Sequence, residues 1–193
     1  MANPSQSKLL GSTLIIAPLL FGASTFFWQN GEYGVVAAVL LTLSNAFWIP
    51  GLYALFGLVK QRMPLYYAIG LFIAICGSCM GGNSFSYLGY FTTVFHIPHQ
   101  EYIKTLAQYP VSSGILIFWA GPLFPLSLLV LGINLIRTKA VEWWLGVLIC
   151  IGAAVFPLGR IFRIEWVAHC TDVLFAVPFV VLGMRFIGRE ASE

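Results

Sequence analysis

The sequence predicts an all-α fold: a polytopic transmembrane bundle of six membrane-spanning helices, with the N and C termini cytoplasmic. Three observations carry this. Of the 193 residues, 59% are hydrophobic and only 9% charged, against about 25% charged in a soluble domain. The mean hydropathy is +0.87, so the apolar surplus must face lipid. Six apolar runs divide the chain, and Lys and Arg concentrate in alternate connections.

The first run, Leu9 to Trp28, follows a short polar leader with Lys8. A secretory signal would begin the same way, and Gly22, Ala23 and Ser24 imitate a cleavage site. About twenty residues at 1.5 Å each suffice to cross ~30 Å of hydrocarbon, which favours a retained first helix. The next runs are Gly34 to Val59, Leu65 to Phe91, Val111 to Ile136, Val141 to Leu158 and Trp166 to Phe186. The fifth is the shortest and its end could extend to Phe162. In lipid every backbone polar group must be satisfied internally, so such runs are helices or barrel strands. They lack period-two alternation, which excludes the barrel. Residues 1–193 read as a single integral membrane domain.

Charge sets the orientation. With the N-terminus inside, Lys8, Lys60, Arg62, Arg137, Lys139, Arg185 and Arg189 are cytoplasmic, whereas Lys104, Arg160 and Arg163 are outside, seven against three. This is the positive-inside bias, and Trp28, Trp143, Trp144 and Trp166 fall at run ends where aromatic belts form. The expected site is the bacterial cytoplasmic membrane. The connection from Thr92 to Pro110 is the longest. Pro98 suits the first turn of a short helix through Tyr109. Tyr102, Leu106 and Tyr109 would share its apolar face, as in a helix lying on the outer leaflet or a lid over an outer cavity.

Prolines interrupt five of the runs, at Pro18, Pro50, Pro122 with Pro125, Pro157 and Pro178. Each frees a carbonyl and tends to kink its helix. Pro18 to Pro50 and Pro125 to Pro157 share a separation of 32 residues, an echo that three-plus-three inverted repeats would produce.

Chemistry concentrates around the start of the sixth helix. Glu165, His169 and Asp172 are spaced by four and three, which puts them on one helical face. Asp172 then lies ~10 Å below Glu165. A charged Asp at that depth costs about 2.5–3.5 kcal/mol, so it should face a partner or a wet cavity. Arg160 and Arg163 are the nearest counter-charges. Three readings follow: a latch between the fifth and sixth helices, a site for an ion, proton or small polar ligand, and a metal centre. Asn45 and Asn83, polar groups inside the second and third runs, are further candidates for such a ligand site.

His96, His99 and His169 are the only histidines, and the topology puts all three on the outer side. Three imidazoles and a carboxylate would suit zinc with an open position, as in an intramembrane metal-dependent hydrolase. The His-Ile-Pro-His spacing is not the helical zinc motif. Haem would need a second helical histidine facing His169, and none exists. No cofactor is therefore expected. Cys76-Gly-Ser-Cys79 has the redox C-x-x-C form but falls in mid-helix among Gly77, Gly81, Gly82 and Ser84, a small-residue surface for close helix packing. That surface could also serve self-association or another membrane protein, and the chain would then be an accessory subunit. The four cysteines lie in apolar runs, against a disulfide scaffold. No basic stripe suggests nucleic acid, and no nucleotide-binding or hydrolase motif occurs. The leading functional expectation is binding or passage of a small polar solute or ion through an outward-facing polar cavity.

Overall fold

Apolar runs with no water to hydrogen-bond their backbone coil into helices, and they do so here. The computed structural model describes residues 4–29, 32–160 and 162–188; Arg189, counted in the charge asymmetry, lies outside them. Helix α1 spans Pro4–Thr25 and leads through a two-residue-per-strand hairpin, β1 (Trp28–Gln29) and β2 (Glu32–Tyr33), into α2 (Val35–Gly57). The strands are antiparallel, pairing Trp28 with Tyr33 and Gln29 with Glu32. The third span is α3 (Pro64–Cys76), a π-helical segment (Gly77–Gly82) and α4 (Asn83–Val94). Two short helices, α5 (His99–Leu106) and α6 (Pro110–Ser113), precede a second π-helical segment (Gly114–Phe118) and α7 (Leu123–Arg137). Helices α8 (Trp143–Arg160) and α9 (Glu165–Gly188) complete the fold.

Five helical spans are long and apolar enough to cross a membrane, and a sixth is the pair 110–118 and 123–137, bent by 44°. The sequence predicts that fourth span as one run. It breaks because Pro122 has no N–H to donate and its ring clashes with a preceding carbonyl. Pro18, Pro50, Pro157 and Pro178, in contrast, stay inside continuous helices. The first span is thus unbroken where its supposed repeat partner, the fourth, is broken. The fifth span runs two residues beyond Leu158, to Arg160.

Alternate ends of the spans gather at two faces. The hairpin, α5 and the α8–α9 turn form one end. Lys60, Arg62, Arg137 and Lys139 lie at the other. Trp48 is fully buried and packs edge-on against Phe124 (5.4 Å) and Phe179 (5.0 Å), which ties α2, α7 and α9 together. Large apolar side chains cover the outside as well, among them Leu65, Phe72, Leu116 and Val173, each more than 60% exposed. Trp143 and Trp166 are likewise exposed, whereas Trp28 is buried, 8% exposed, and packs against Tyr33.

The π-helical segment of the third span coincides with its glycine-rich stretch. A Cβ on Gly77 would lie 2.3 Å from the Phe124 backbone nitrogen, and one on Gly81 would lie 2.6 Å from the Ala120 carbonyl oxygen. The backbone of the third span therefore meets the bend of the fourth at a distance only glycine permits. On Gly82 a Cβ would meet the Asn45 amide at 2.5 Å. This small-residue surface is used within the chain itself, against α2 and the start of α7.

Candidate functional site

Arg160 is the last residue of α8, where a cation complements the helix dipole. It is 4% exposed and points into the bundle. The sequence reading names it, with Arg163, as a counter-charge for Asp172, and Arg160 is the one that pairs. Its Nη2 lies 2.7 Å from Asp172 Oδ1, 2.6 Å from Thr25 Oγ1 and 3.1 Å from the Phe21 carbonyl. Nη1 donates to Ser24 Oγ at 3.3 Å, and the guanidinium lies over the Phe21 ring, 3.9 Å from its centroid. Thr25 Oγ1 in turn donates to Asp172 Oδ2 at 2.6 Å. The network joins α1, α8 and α9 around a buried ion pair, so both charges are compensated where desolvation alone would be costly. Gly159 makes room for it: a Cβ there would touch the Ala168 backbone at 2.7 Å.

One donor is left over. Among the described residues Arg160 Nε has no hydrogen-bond acceptor. Arg160 also lines a cavity in the middle of the bundle, together with Phe21, Asn45, Ser78, Gly81 and Phe85. Water centres can occupy ≈ 30 Å³ of it, room for about two waters. The π-helical stretch of the third span reaches this cavity through Gly77 to Gly82 on one side, and the bend of the fourth through Gly121 and Phe124 on the other. Asn45 Nδ2 donates to Asn83 Oδ1 at 3.1 Å, which places that predicted pair at its edge.

The rest of the predicted face divides. Asp172 is buried with Arg160, but the His169 ring packs on Phe26 with centroids 4.6 Å apart, and Glu165 is exposed. His169 does not complete the Asp172 network as the shared helical face suggests. The carboxylate is turned inward toward α1, whereas the imidazole follows the outer edge of α9.

Arg163 belongs to a second cluster, at the hairpin end. It sits at φ 57 in the α8–α9 turn and its Nη1 donates to Glu32 Oε2 on β2. Its guanidinium also lies 5.4 Å from the Tyr33 ring centroid. His99 Nδ1 of α5 stands 3.5 Å from the same Glu32 oxygen, within range of charge attraction but not aligned for a hydrogen bond. Burial lowers the His99 pKa and the Arg163 charge lowers it further, with Glu32 opposing both.

The three histidines do not converge. His96 is exposed at φ 53, His99 faces Glu32 and His169 faces Phe26. Among the described residues no three His, Cys, Asp or Glu side chains are grouped to hold a metal, so the hydrolase constellation has no geometric support. Cys76, Cys79, Cys150 and Cys170 are free thiols.

Sequence reasoning overlooks Ser24, Thr25 and Glu32. Thr25 lies 147 residues from Asp172 in sequence, so no local spacing links them. Glu32 had a signal: Asn30-Gly31 between Trp28-Gln29 and Glu32-Tyr33 is the dipeptide most favoured in two-residue hairpins.

The fold and its apolar surface define a polytopic α-helical integral membrane protein. No known protein family matches the chain, and it matches neither a curated protein nor a solved structure.

Proposed function

We propose that this membrane protein binds or passes a small polar solute or ion through the cavity walled by Arg160, entered from the hairpin end, which faces outward. The observation that carries the reading is a cavity inside the bundle lined by Arg160 and Asn45 and bounded by the π-helical stretch of the third span and the bend of the fourth. A broken helix at mid-membrane is a usual frame of a solute site, since its freed backbone groups need polar company, and π-helical stretches such as Gly77–Gly82 recur at functional sites. Asp172 already balances the Arg160 charge, so a cavity walled by a guanidinium and an amide suits an acceptor-bearing solute, neutral or weakly anionic, better than a metal cation. The Asn45 amide supplies a second polar contact. A cavity with room for about two waters admits only a small ligand unless the flanking helices part.

A second reading has its own support. Ser24, Thr25, Arg160 and Asp172 satisfy one another almost completely, as a latch for three helices would. The two readings differ in whether the cavity is wet. In a chain with its four cysteines replaced by serine, Ser78→Cys on the cavity wall should react with a small membrane-impermeant thiol reagent from the hairpin side. Formate or urea should slow that reaction. Ser127→Cys, buried but away from the cavity, is the control. Equal, negligible labelling at both positions would leave the latch alone standing.

A further inference from the structure

We infer that the basic end of the bundle binds a phosphate-bearing anion, with a lipid headgroup as its source. Between the α2–α3 turn and the α7–α8 turn lies an open groove of ≈ 300 Å³ whose wall carries Lys60, Gln61, Arg62 and Lys139. Lys8, Lys60, Arg62, Arg137, Lys139 and Arg185 stand at this end against a single described carboxylate, Glu142. That carboxylate is taken by Arg185. Among the described residues no carboxylate pairs with Lys60, Arg62 or Lys139, although Lys60 Nζ lies 5.2 Å from the Tyr67 ring centroid.

Helix ends account for only part of this charge. The C-termini of α2 and α7 open on the groove, and each carries the equivalent of about half a negative charge. Three cations exceed that by roughly two charges, about what a phosphate monoester carries near neutral pH.

Backbone geometry supplies an independent sign. Lys139 occupies the left-handed position that closes α7, at φ 51, with Ala140 N–H bonded to the Leu135 carbonyl at 3.1 Å. Glycine or asparagine is the ordinary choice there, so a lysine accepts backbone strain and brings a cation to the groove wall. The groove also lies at headgroup depth. Trp143, 70% exposed, and Trp144 begin α8 beside it, and such rings settle at the membrane–water boundary. Basic pockets between spans recognise lipid phosphates in this setting.

The test is native mass spectrometry of the full chain released from micelles containing dioctanoyl phosphatidic acid, dioctanoyl phosphatidylcholine or inorganic phosphate. Retention of phosphatidic acid well above phosphatidylcholine is expected. Lys60→Gln with Lys139→Gln should weaken it roughly thirtyfold, from two cations lost, while Lys104→Gln at the far end leaves it unchanged. Inorganic phosphate bound as strongly as phosphatidic acid would keep the phosphate site and remove the lipid as its source. No preference over phosphatidylcholine, or an undiminished adduct in the double variant, overturns the inference. These residues are exposed, so an unchanged melting temperature separates loss of binding from loss of fold.

Discussion

Arg160 and Asp172, one at the end of α8 and the other two turns into α9, meet through a 2.7 Å hydrogen bond with both side chains under 10% exposed. Thr25 of α1 touches both partners. A pair so placed does more than neutralise two charges, because a third helix is fixed to it.

Thr25 is the least disruptive way to probe that arrangement. Thr25→Val removes a hydroxyl bonded to a buried carboxylate, a charge-assisted bond worth about 1.5–3 kcal/mol. Thr25→Ser keeps the hydroxyl and should cost much less. Thermal unfolding in detergent compares them; equal losses would show that the methyl, not the hydroxyl, matters.

Gly81 tests the close approach of the third and fourth spans. Gly81→Val places a side chain 2.6 Å from the Ala120 carbonyl, and overpacking of this kind costs about 1–3 kcal/mol. Gly57→Ala, where nothing lies within 4 Å, should be neutral or slightly stabilising. A harmless Gly81→Val would mean the spans are not in contact there.

His99 makes the docking of α5 sensitive to acid. Burial and Arg163 hold its folded-state pKa below the ordinary value, so the docked helix binds fewer protons than the released one. The neutral imidazole's contribution is complete above about pH 6.5 and declines as pH falls from there through the lowered folded pKa. Hydrogen exchange over residues 99–106, corrected for intrinsic rate, should accelerate between pH 7.5 and about 5.5, and His99→Gln should remove that dependence. Acid-induced slowing would mean that attraction to Glu32 outweighs burial and Arg163.

Orientation follows from the charge asymmetry and has its own check. A reporter active only in the cytoplasm should work when fused to the C-terminus and fail when inserted at residue 108 of the α5–α6 connection. The reverse pattern would invert every assignment of an outer side.

The six spans are legible in the sequence because the bilayer demands long apolar runs whatever the packing. Asp172 stands out for a related reason: an acid deep in such a run needs a partner, and Arg160 and Arg163 are the nearest. Which arginine answers is not legible, since a turn of a few residues decides it. Arg160 ends α8 pointing inward, and Arg163, at φ 57, points to Glu32. Position in the run does not show which way a side chain turns, so the sequence does not reveal that Arg160 and Trp28 both turn inward and are buried. Ser24 and Thr25 read as small polar residues at a span end, and only the packing of α1 on α9 gives them a carboxylate. The broken fourth span shows the same limit. Pro18 and Pro122 look alike in sequence, yet α1 continues through the first, and the bend occurs where Gly121 and Pro122 adjoin Phe85 and the glycines of the third span.

The most direct test of the Arg160–Asp172 pair is a double-mutant cycle on thermal stability in detergent. Asp172→Asn and Arg160→Gln should each destabilise the protein, since a buried charge left alone costs about 3–5 kcal/mol. Asp172→Ala should cost more than Asp172→Asn, which retains polar contacts. Combining Asp172→Asn with Arg160→Gln should recover about 1–3 kcal/mol, whereas Asp172→Asn with Arg163→Gln should be additive within about 0.5 kcal/mol. Additive losses with Arg160, or coupling to Arg163 in its place, would contradict the pairing and the cavity wall built on it.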